Sequence, residues 1–285
     1  MALDLRQRIG AQVFEKVAGT NGPEKRARIH TTEGERWFAA DRPIRTVHAD
    51  ASMFVGGLRA LLLQSLHPLA MAGVAGHSGF RGDPWGRLQR TTYFLAVTTF
   101  GSSTDAEATI ARIRAVHETV RGVAADGRSY AASDPHLLEW VHVAEVDSFL
   151  RTYQRYGRAA LDQAGRDGYV QDAALIAGKL GVLDPPTTEA ELKERIEAFR
   201  PELAGTPQAR SAARFLLLRP PLPMIARAPY AVLAAAAVGS LPGWARRPLR
   251  LPHLPLTEAT VVRASGQAIV RGIRWVTTAP PQVDG

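Results

Sequence analysis

The chain has 285 residues, of which 46% are hydrophobic and 22% charged, a composition that fills a core and excludes disordered and fibrous proteins. Cysteine is absent, which excludes disulfide scaffolds, thiolate zinc sites, iron–sulfur clusters and cysteine nucleophiles. The formal net charge of +8 is local, because the C-terminal third, 203–285, carries ten arginines against only Glu258 and Asp284.

The N-terminal part of the chain gives few structural signals. Residues 1–21 mix charged side chains into apolar ones and contain no uninterrupted signal-peptide core, so we expect a cytoplasmic protein. Residues 26–50 are mixed and rich in turn formers, and their pattern predicts no clear element.

The first clear helix is predicted over 52–66, where apolar side chains dominate. Pro68 interrupts it, and a short second piece follows that ends near Gly76. Such a helix belongs in the core. Its polar residues Arg59, Gln64 and His67 therefore need hydrogen-bonding partners.

A second strong helix is predicted over 84–100. Asp83 followed by Pro84 is typical of an N-cap with proline at the first helical position, and Gly101 is a stop signal. Arg87 and Thr91 lie one turn apart and share a face of this helix.

The next helix is predicted to open with Thr104 and Glu107 in capping-box spacing and to close before Gly122. His117 falls on its apolar stripe together with Ile110, Ile113 and Val120. Burial lowers the pKa of a histidine and keeps its imidazole neutral, with one nitrogen free to bind a metal. The alternative is a core histidine that is hydrogen-bonded to a carbonyl group.

A fourth helix is predicted from Asp134 and Pro135 to Tyr156. Glu139 and His142 form an E-x-x-H pair, the spacing that carboxylate di-iron bundles use for two ligands. Such a site needs a second E-x-x-H pair, and the chain contains none. His142 is therefore interpreted as a core or supporting residue, and as the first substitute for His117 as a ligand.

The basic C-terminal third contains an apolar stretch, 228–241, that is shorter than the roughly 20 residues needed to span a bilayer. A buried helix is the favoured interpretation, and peripheral membrane contact through the basic third is the alternative. Aromatic-interleaved basic runs, zinc knuckles and helix-turn-helix patterns are missing, so no nucleic-acid partner is expected.

Together these elements predict an all-α protein with a single multi-helix domain over 1–285, because helical periodicity recurs and alternating strand patterns are missing. The sequence has no nucleophile elbow, phosphate loop, H-E-x-x-H motif or dinucleotide fingerprint. An inward histidine in such a chain suits a cofactor that brings its own reactivity, such as haem held by one axial histidine.

A series of short motifs runs through the predicted helices: Arg59 to Leu63, Leu66-His67-Pro68, Gly73-Val74, His77-Ser78, Asp83-Pro84, Arg87-x-x-Arg90-Thr91, Arg114-x-x-His117 and Val141-His142. Over about 38–276 the chain resembles the rubber oxygenase catalytic domain. That family includes bacterial latex-clearing proteins and the membrane-bound oxygenase of mycophenolic acid biosynthesis.

The resemblance implies a helical fold with a globin-like core around haem b, and oxidative cleavage of a carbon–carbon double bond in an isoprenoid chain by molecular oxygen. His117 resembles the proximal iron ligand of the family. Arg87 and Thr91 resemble its distal arginine and threonine, and Arg90 stands where a neighbouring basic residue is found. Arg90 and Arg114 are suited to pair with the haem propionates.

The chain departs from the rubber-cleaving members in one respect. They place a carboxylate upstream of the distal arginine as a proposed base, whereas residues 60–82 contain no Asp or Glu. His77 is the nearest group that can act as a base near neutral pH. We therefore expect a small apolar substrate, unsaturated or isoprenoid, rather than polymeric rubber.

Two other functions stay open from the sequence. One is a non-catalytic haem-binding or sensing protein that uses His117. The other is a metal-free protein that binds lipid or a membrane surface through the basic third. The sequence does not indicate an oligomeric state.

Overall fold

The computed structural model describes residues 5–77 and 82–278, and within them the protein is all-α as predicted. Ser78 of the His77-Ser78 motif lies outside the described residues. The helices are α1 (Leu5–Ala18), α2 (Gly22–Thr31), α3 (Pro43–His48), α4 (Met53–Gln64), α5 (Pro68–His77), α6 (Pro84–Phe100), α7 (Ser103–Thr119), α8 (Pro135–Tyr156), α9 (Gln163–Leu180), α10 (Glu189–Phe199), a 3₁₀ turn (Arg200–Glu202), α11 (Pro207–Leu218), α12 (Met224–Ser240), α13 (Gly243–Leu249), α14 (Pro255–Thr257), a π-helical segment (Glu258–Val262) and α15 (Arg263–Thr277).

A small sheet that the sequence pattern does not predict lies between α7 and α8. Strands β1 (Arg121–Val123) and β2 (Ser129–Ala131) pair antiparallel, with Gly122 opposite Tyr130. Each strand has three residues, which is too short for an alternating pattern to stand out in the sequence. The undetermined region 26–50 contains the end of α2 and the short helix α3.

The predicted caps of α6 and α8 are confirmed. Asp83 accepts a hydrogen bond from the backbone N–H of Gly86 at 2.8 Å, and Asp134 accepts one from His136 at 2.9 Å. The predicted start of α7 is wrong. Ser102 is its N-cap and accepts from the backbone N–H of Asp105, because Ser102 has the extended backbone that a cap requires, while Thr104 already lies in the first turn.

Helix α4 lies at the centre of the core, where it packs along α8. Val55, Leu62 and Leu63 are fully buried, as their apolar pattern predicts. Gly56 permits this close approach, because a Cβ atom there would come within 2.6 Å of a ring carbon of Phe149.

The polar groups of α4 have the partners that burial requires. Arg59 is 3% exposed and donates to Asp147 Oδ2 at 2.7 Å, to Ser148 Oγ at 2.6 Å and to the carbonyl oxygen of Ser240 at 3.1 Å. Gln64 donates to the carbonyl oxygen of Val141 at 3.1 Å. These bonds tie α4 to α8 and α12 and offset the cost of burying a guanidinium group.

The apolar stretch 228–241 forms most of α12, which begins at Met224. Ala234, Ala236 and Ala237 are buried where α12 packs against α4 and α15, so the prediction of a buried helix holds for this face. Within 5–77 and 82–278 no single helix is long and apolar enough to cross a membrane. Two pairs of consecutive helices, α4 with α5 and α12 with α13, are together long and apolar enough. The two helices of each pair are bent relative to each other, by 108° and 119° respectively.

Candidate functional site

Helices α6 and α7 follow each other directly, joined at Gly101 and Ser102, and pack against each other. Arg87 lies on α6 and His117 on α7, each roughly 21 Å along its helix from this connection, because an α-helix rises 1.5 Å per residue. The two motifs therefore lie on consecutive helices of the fold.

His117 lies on the inward face of α7, two turns after the buried Ile110. Burial lowers the pKa of His117, so its imidazole is neutral at pH 7. Its Nδ1 atom is buried and has no hydrogen-bond partner within residues 5–77 and 82–278. The carbonyl partner expected of a purely structural histidine is therefore missing at this nitrogen, in the part of the chain that the structure describes.

Helix α8 contributes two further buried titratable groups. Burial lowers the pKa of His142 to about 4 and raises the pKa of Glu145 to about 7. The Nε2 atom of His142 is buried without a hydrogen-bond partner among the described residues. A carboxyl group that titrates near neutral pH is suited to donate or accept a proton, and groups shifted in this way cluster at functional sites.

The ends of α7 and α8 meet in a small apolar cluster. Val120, which follows α7, packs against a group that contains Tyr130 and Leu137. Leu137 opens α8 about one and a half turns before His142. This packing fixes the residue that follows α7 against the first turn of α8.

A second set of polar groups, from α3, α6 and α9, lies near Glu145 of α8, and no sequence pattern predicts it. Burial raises the pKa of Tyr169 well above its ordinary value, and the nearby Glu145 raises it further. The hydroxyl of Tyr169 is 3.4 Å from His48 Nε2, and His48 Nδ1 is 2.8 Å from Thr99 Oγ1. Burial lowers the pKa of His48 to about 3. No local motif marks these residues, since they come from α3, α6 and α9.

The predicted residues of α6 differ in their exposure. Arg87 is partly buried, and its pKa is lowered by burial and by the charge of Arg90. Thr91 is exposed. Arg90 is also exposed and forms an ion pair with the cap residue Asp83, at 3.1 Å between Nη1 and Oδ2.

Arg114 is exposed on α7 about one turn before His117, and its Nη1 atom is 3.4 Å from the carbonyl oxygen of Lys179. With Ile110 and Lys179 it lines a pocket of about 470 Å³ between α7 and α9. His77 is exposed at the end of α5, with Nδ1 3.4 Å from the hydroxyl of Tyr130. The described contacts of Arg90 and Arg114 are with Asp83 and α9, and neither contact involves His117.

The E-x-x-H pair of α8 is divided between two environments. Glu139 lies 3.0 Å from Arg195 Nε, an ion pair with α10, while His142 is buried without a partner at Nε2 in the described structure. The rejection of a di-iron site rests on the missing second E-x-x-H motif.

Comparison with known protein families shows to which family the chain belongs. The chain matches the family model described as ER-bound oxygenase mpaB/B'/Rubber oxygenase, catalytic domain, over residues 45–275. The chain belongs to this family. A search of curated proteins and a search of solved structures each found no match.

Membership in the mpaB/rubber oxygenase family confirms the resemblance and supports oxygenase activity, the oxidoreductase chemistry that uses molecular oxygen. Oxygen activation of this kind calls for a redox-active centre, and two places in the structure could hold a metal. His117 fits as a single axial ligand of a metal cofactor, since it is neutral, inward-facing and, within the described ranges 5–77 and 82–278, without a hydrogen-bond partner at Nδ1.

The second place is a cluster of His67, His136 and Glu202, whose ligand atoms all lie within 4.8 Å of one another. Glu202 Oε2 is 3.3 Å from His67 Nε2 and 3.0 Å from His136 Nε2. Two histidines and one carboxylate form the ligand set of many non-haem iron oxygenases, so this cluster could bind a divalent cation.

The cluster is also satisfied without a cation. The backbone N–H of Ala70 donates to His67 Nδ1 at 3.4 Å, so the proton of the neutral ring lies on Nε2 and is donated to Glu202. Burial lowers the pKa of His67, which keeps its ring neutral. A cation at Nε2 would have to displace that proton and reverse the tautomer.

Proposed function

We propose that this protein is a haem b-dependent oxygenase that acts on a small apolar, unsaturated or isoprenoid substrate, with His117 as the proximal iron ligand. The observation that carries the proposal is the neutral, inward-facing His117, whose Nδ1 has no hydrogen-bond partner among the described residues, in a chain of an oxygenase family. A globin-like arrangement of helices around the haem is part of the proposal.

When bound, the haem would supply the redox chemistry with molecular oxygen. Oxidative cleavage of a carbon–carbon double bond places one oxygen atom on each carbon, so that two carbonyl groups form and no external reductant is consumed. The roles proposed for this chain's residues are electrostatic and positional. Arg87 would offer a fixed positive charge and Thr91, one turn away on α6, a hydroxyl donor toward the substrate side of a bound haem.

Arg90 and Arg114 are proposed to hold the haem propionates. Arg114 already lines the 470 Å³ pocket between α7 and α9. Arg90 would exchange its exposed ion pair with Asp83 for a propionate, a change that costs little because surface ion pairs contribute little free energy.

Glu145 is proposed to carry the proton-transfer role that the missing upstream carboxylate has in rubber-cleaving relatives. Burial raises its pKa to about 7, so both of its protonation states are populated near neutral pH. His77 is the second candidate for this role, but it is exposed and lies against Tyr130 at the edge of the small sheet.

A second candidate centre is favoured by the close approach of His67, His136 and Glu202. In that case the protein is a non-haem metal oxygenase. The two candidates predict different cofactors, and they are separated by measuring haem and metal in the same sample.

The test is the absorption spectrum and iron content of the protein purified from cells with adequate haem supply. His117→Ala and His136→Ala serve as matched variants. A Soret band that is lost or shifted only in His117→Ala supports the proposal. Iron without haem that is lost only in His136→Ala supports the second candidate. A colourless, iron-free parent that stays colourless after haem is added overturns both.

Oxygen uptake in the presence of a small isoprenoid alkene separates an oxygenase from a haem sensor. The proposal expects substrate-dependent uptake and carbonyl products. A protein that binds haem at His117 but consumes no oxygen with any alkene of a broad panel would be assigned to sensing.

A further inference from the structure

The segment that joins α11 to α12 exposes large apolar side chains. Leu218 and Met224 are each 76% exposed, and Ile225 is 88% exposed. We refer to residues 218–225 as the apolar tip. Single exposed apolar residues are ordinary, but three such side chains within eight positions form a patch of the kind that marks a contact surface.

The outer face of α12 continues this surface. Ala228, Ala231 and Ala235 are exposed on the side opposite the buried core residues, and Arg227 is the only charged residue of the helix. A helix that is apolar all round is normally buried on every side. Here one side faces the core and the other faces the solvent, so the outer face lacks the polar residues that water favours.

Positive charge lies beside the apolar tip. Arg214, Arg219 and Arg227 are exposed within or beside the tip. Residues 203–257 contain no Asp or Glu, and α15 also contains no acidic residue. This surface therefore combines apolar side chains with positive charge.

Helix α15 adds an aromatic residue at the same end. Gly239 lies against Val262, and Gly266 lies against Ala236, so α12 and α15 run antiparallel. From these contacts the tip and the C-terminal end of α15 both lie about 16 Å away in the same direction. Trp275 is 58% exposed there, with the guanidinium group of Arg6 5.0 Å from its ring centre.

We propose that the apolar tip, together with Trp275, docks on an anionic lipid membrane. The apolar side chains enter the boundary between headgroups and acyl chains, and the exposed arginines bind lipid phosphates. Apolar insertion beside basic residues is the known physical basis of interfacial binding. The proposal concerns the surface alone and stands whether or not His117 holds haem.

The absence of cysteine makes a site-specific test direct. Ile225→Cys is labelled with a polarity-sensitive dye and mixed with phosphatidylcholine vesicles, with or without phosphatidylglycerol. The matched control is Leu256→Cys, which is equally exposed at 85% but lies beside Glu258 near the opposite end of α12. We expect a blue shift at position 225 only, on anionic vesicles only, that salt reverses.

Vesicle sedimentation with unlabelled variants gives the second readout. Met224→Ser with Ile225→Ser should weaken binding by about tenfold to a hundredfold, because the inserted apolar area is lost. Arg219→Gln with Arg227→Gln should weaken it by at least about fivefold at low salt. Leu254→Ser with Leu256→Ser should leave binding unchanged, and circular dichroism confirms that each variant is folded.

Three outcomes overturn the proposal. The first is the absence of binding to anionic vesicles at low salt, and the second is an equal shift at positions 225 and 256. The third is a concentration-dependent dimer in light scattering that Met224→Ser with Ile225→Ser abolishes without any effect on vesicle binding. That result would assign the surface to a second copy of the chain.

Discussion

The His117 region and the His67 cluster both offer imidazole nitrogens to a metal, but their hydrogen bonding differs. His117 and His142 each have a buried nitrogen without a partner in the described structure. In the His67 cluster the short distances to Glu202 are themselves hydrogen bonds, and Ala70 fixes the tautomer of His67. Close approach of ligand-type atoms is therefore weaker support for a metal than a buried nitrogen whose bonding capacity is unused.

The same contrast applies to charge. The His67 cluster balances the carboxylate of Glu202 against two N–H donors, which suits a stable structural link between α5, α8 and the 3₁₀ turn. Near His142 the buried Glu145 has a pKa of about 7 and its shift arises from burial alone. Glu145 has no ion pair in the part of the chain that the structure describes, so the fold accepts a cost in stability to retain it, and such costs concentrate at functional sites.

The largest expected effect is the loss of haem binding in His117→Ala. Removing the axial ligand should lower haem affinity by more than about a hundredfold, because supporting residues alone contribute roughly tenfold to a hundredfold. Haem titration followed at the Soret band measures this. His142→Ala is the matched control, from a neighbouring helix and with an equally unpaired nitrogen. A greater loss in His142→Ala would transfer the ligand role to that residue.

Glu145→Gln should stabilise the protein at alkaline pH. The pKa of Glu145 is raised to about 7, so the folded state binds more protons than the unfolded state between about pH 4.5 and 7. The contribution of Glu145 to the free energy of unfolding is therefore largest below the pKa of this group in the unfolded chain, and it falls as the pH rises to 7. At pH 8 the variant should exceed the parent by up to about 3 kcal/mol, and at pH 4 the two should converge.

Urea unfolding at several pH values measures this difference. The comparison with the parent is essential, because the contribution of His142 to the free energy of unfolding changes with pH in the opposite direction to that of Glu145. Its pKa of about 4 means that the unfolded state binds the extra proton between about pH 4 and 6.5, so stability from His142 rises with pH in that window. If the free energies of unfolding of Glu145→Gln and the parent differ by the same amount at pH 4 and pH 8, the raised pKa of Glu145 is contradicted.

Substitution of the histidines of the second cluster should affect stability unequally. His67 is 1% exposed and both of its ring nitrogens are hydrogen-bonded, so His67→Ala should cost about 2 kcal/mol. His136 is half exposed, and His136→Ala should cost less than about 1 kcal/mol. Urea unfolding with a chelator present gives both values. Equal losses that appear only when a divalent cation is present would instead identify a metal site.

Much of the fold is predictable from local signals. The bounds of α6 follow from Asp83, Pro84 and Gly101, and those of α8 from Asp134 and Gly157, because caps act on the adjacent backbone. The start of α7 was misplaced because Ser102 and Thr104 both carry cap-type side chains, and only the backbone conformation distinguishes them. The strands β1 and β2 depend on pairing with each other rather than on pattern.

The candidate site is predictable only in part. His117 could be found because three aliphatic residues share its helical stripe, and Arg87 because it recurs with Thr91 in a family motif. His48 and Tyr169 meet through contacts between α3 and α9, which lie more than 100 positions apart in the sequence. Glu202 likewise meets His67 and His136 only after folding. No local spacing encodes such contacts.

The smallest expected effect tests whether Arg90 binds a haem propionate. Arg90 is exposed and its only described ion pair is with Asp83, so Arg90→Gln should leave the urea midpoint of the haem-free protein unchanged. Haem affinity should fall by at most about fivefold, the range of an exposed ion pair. Arg128→Gln is the control, because Arg128 forms a similar exposed pair with Asp126 outside the site. If both variants bind haem like the parent, the contact of Arg90 is with Asp83 alone, and α6 contributes to the site through Arg87 and Thr91.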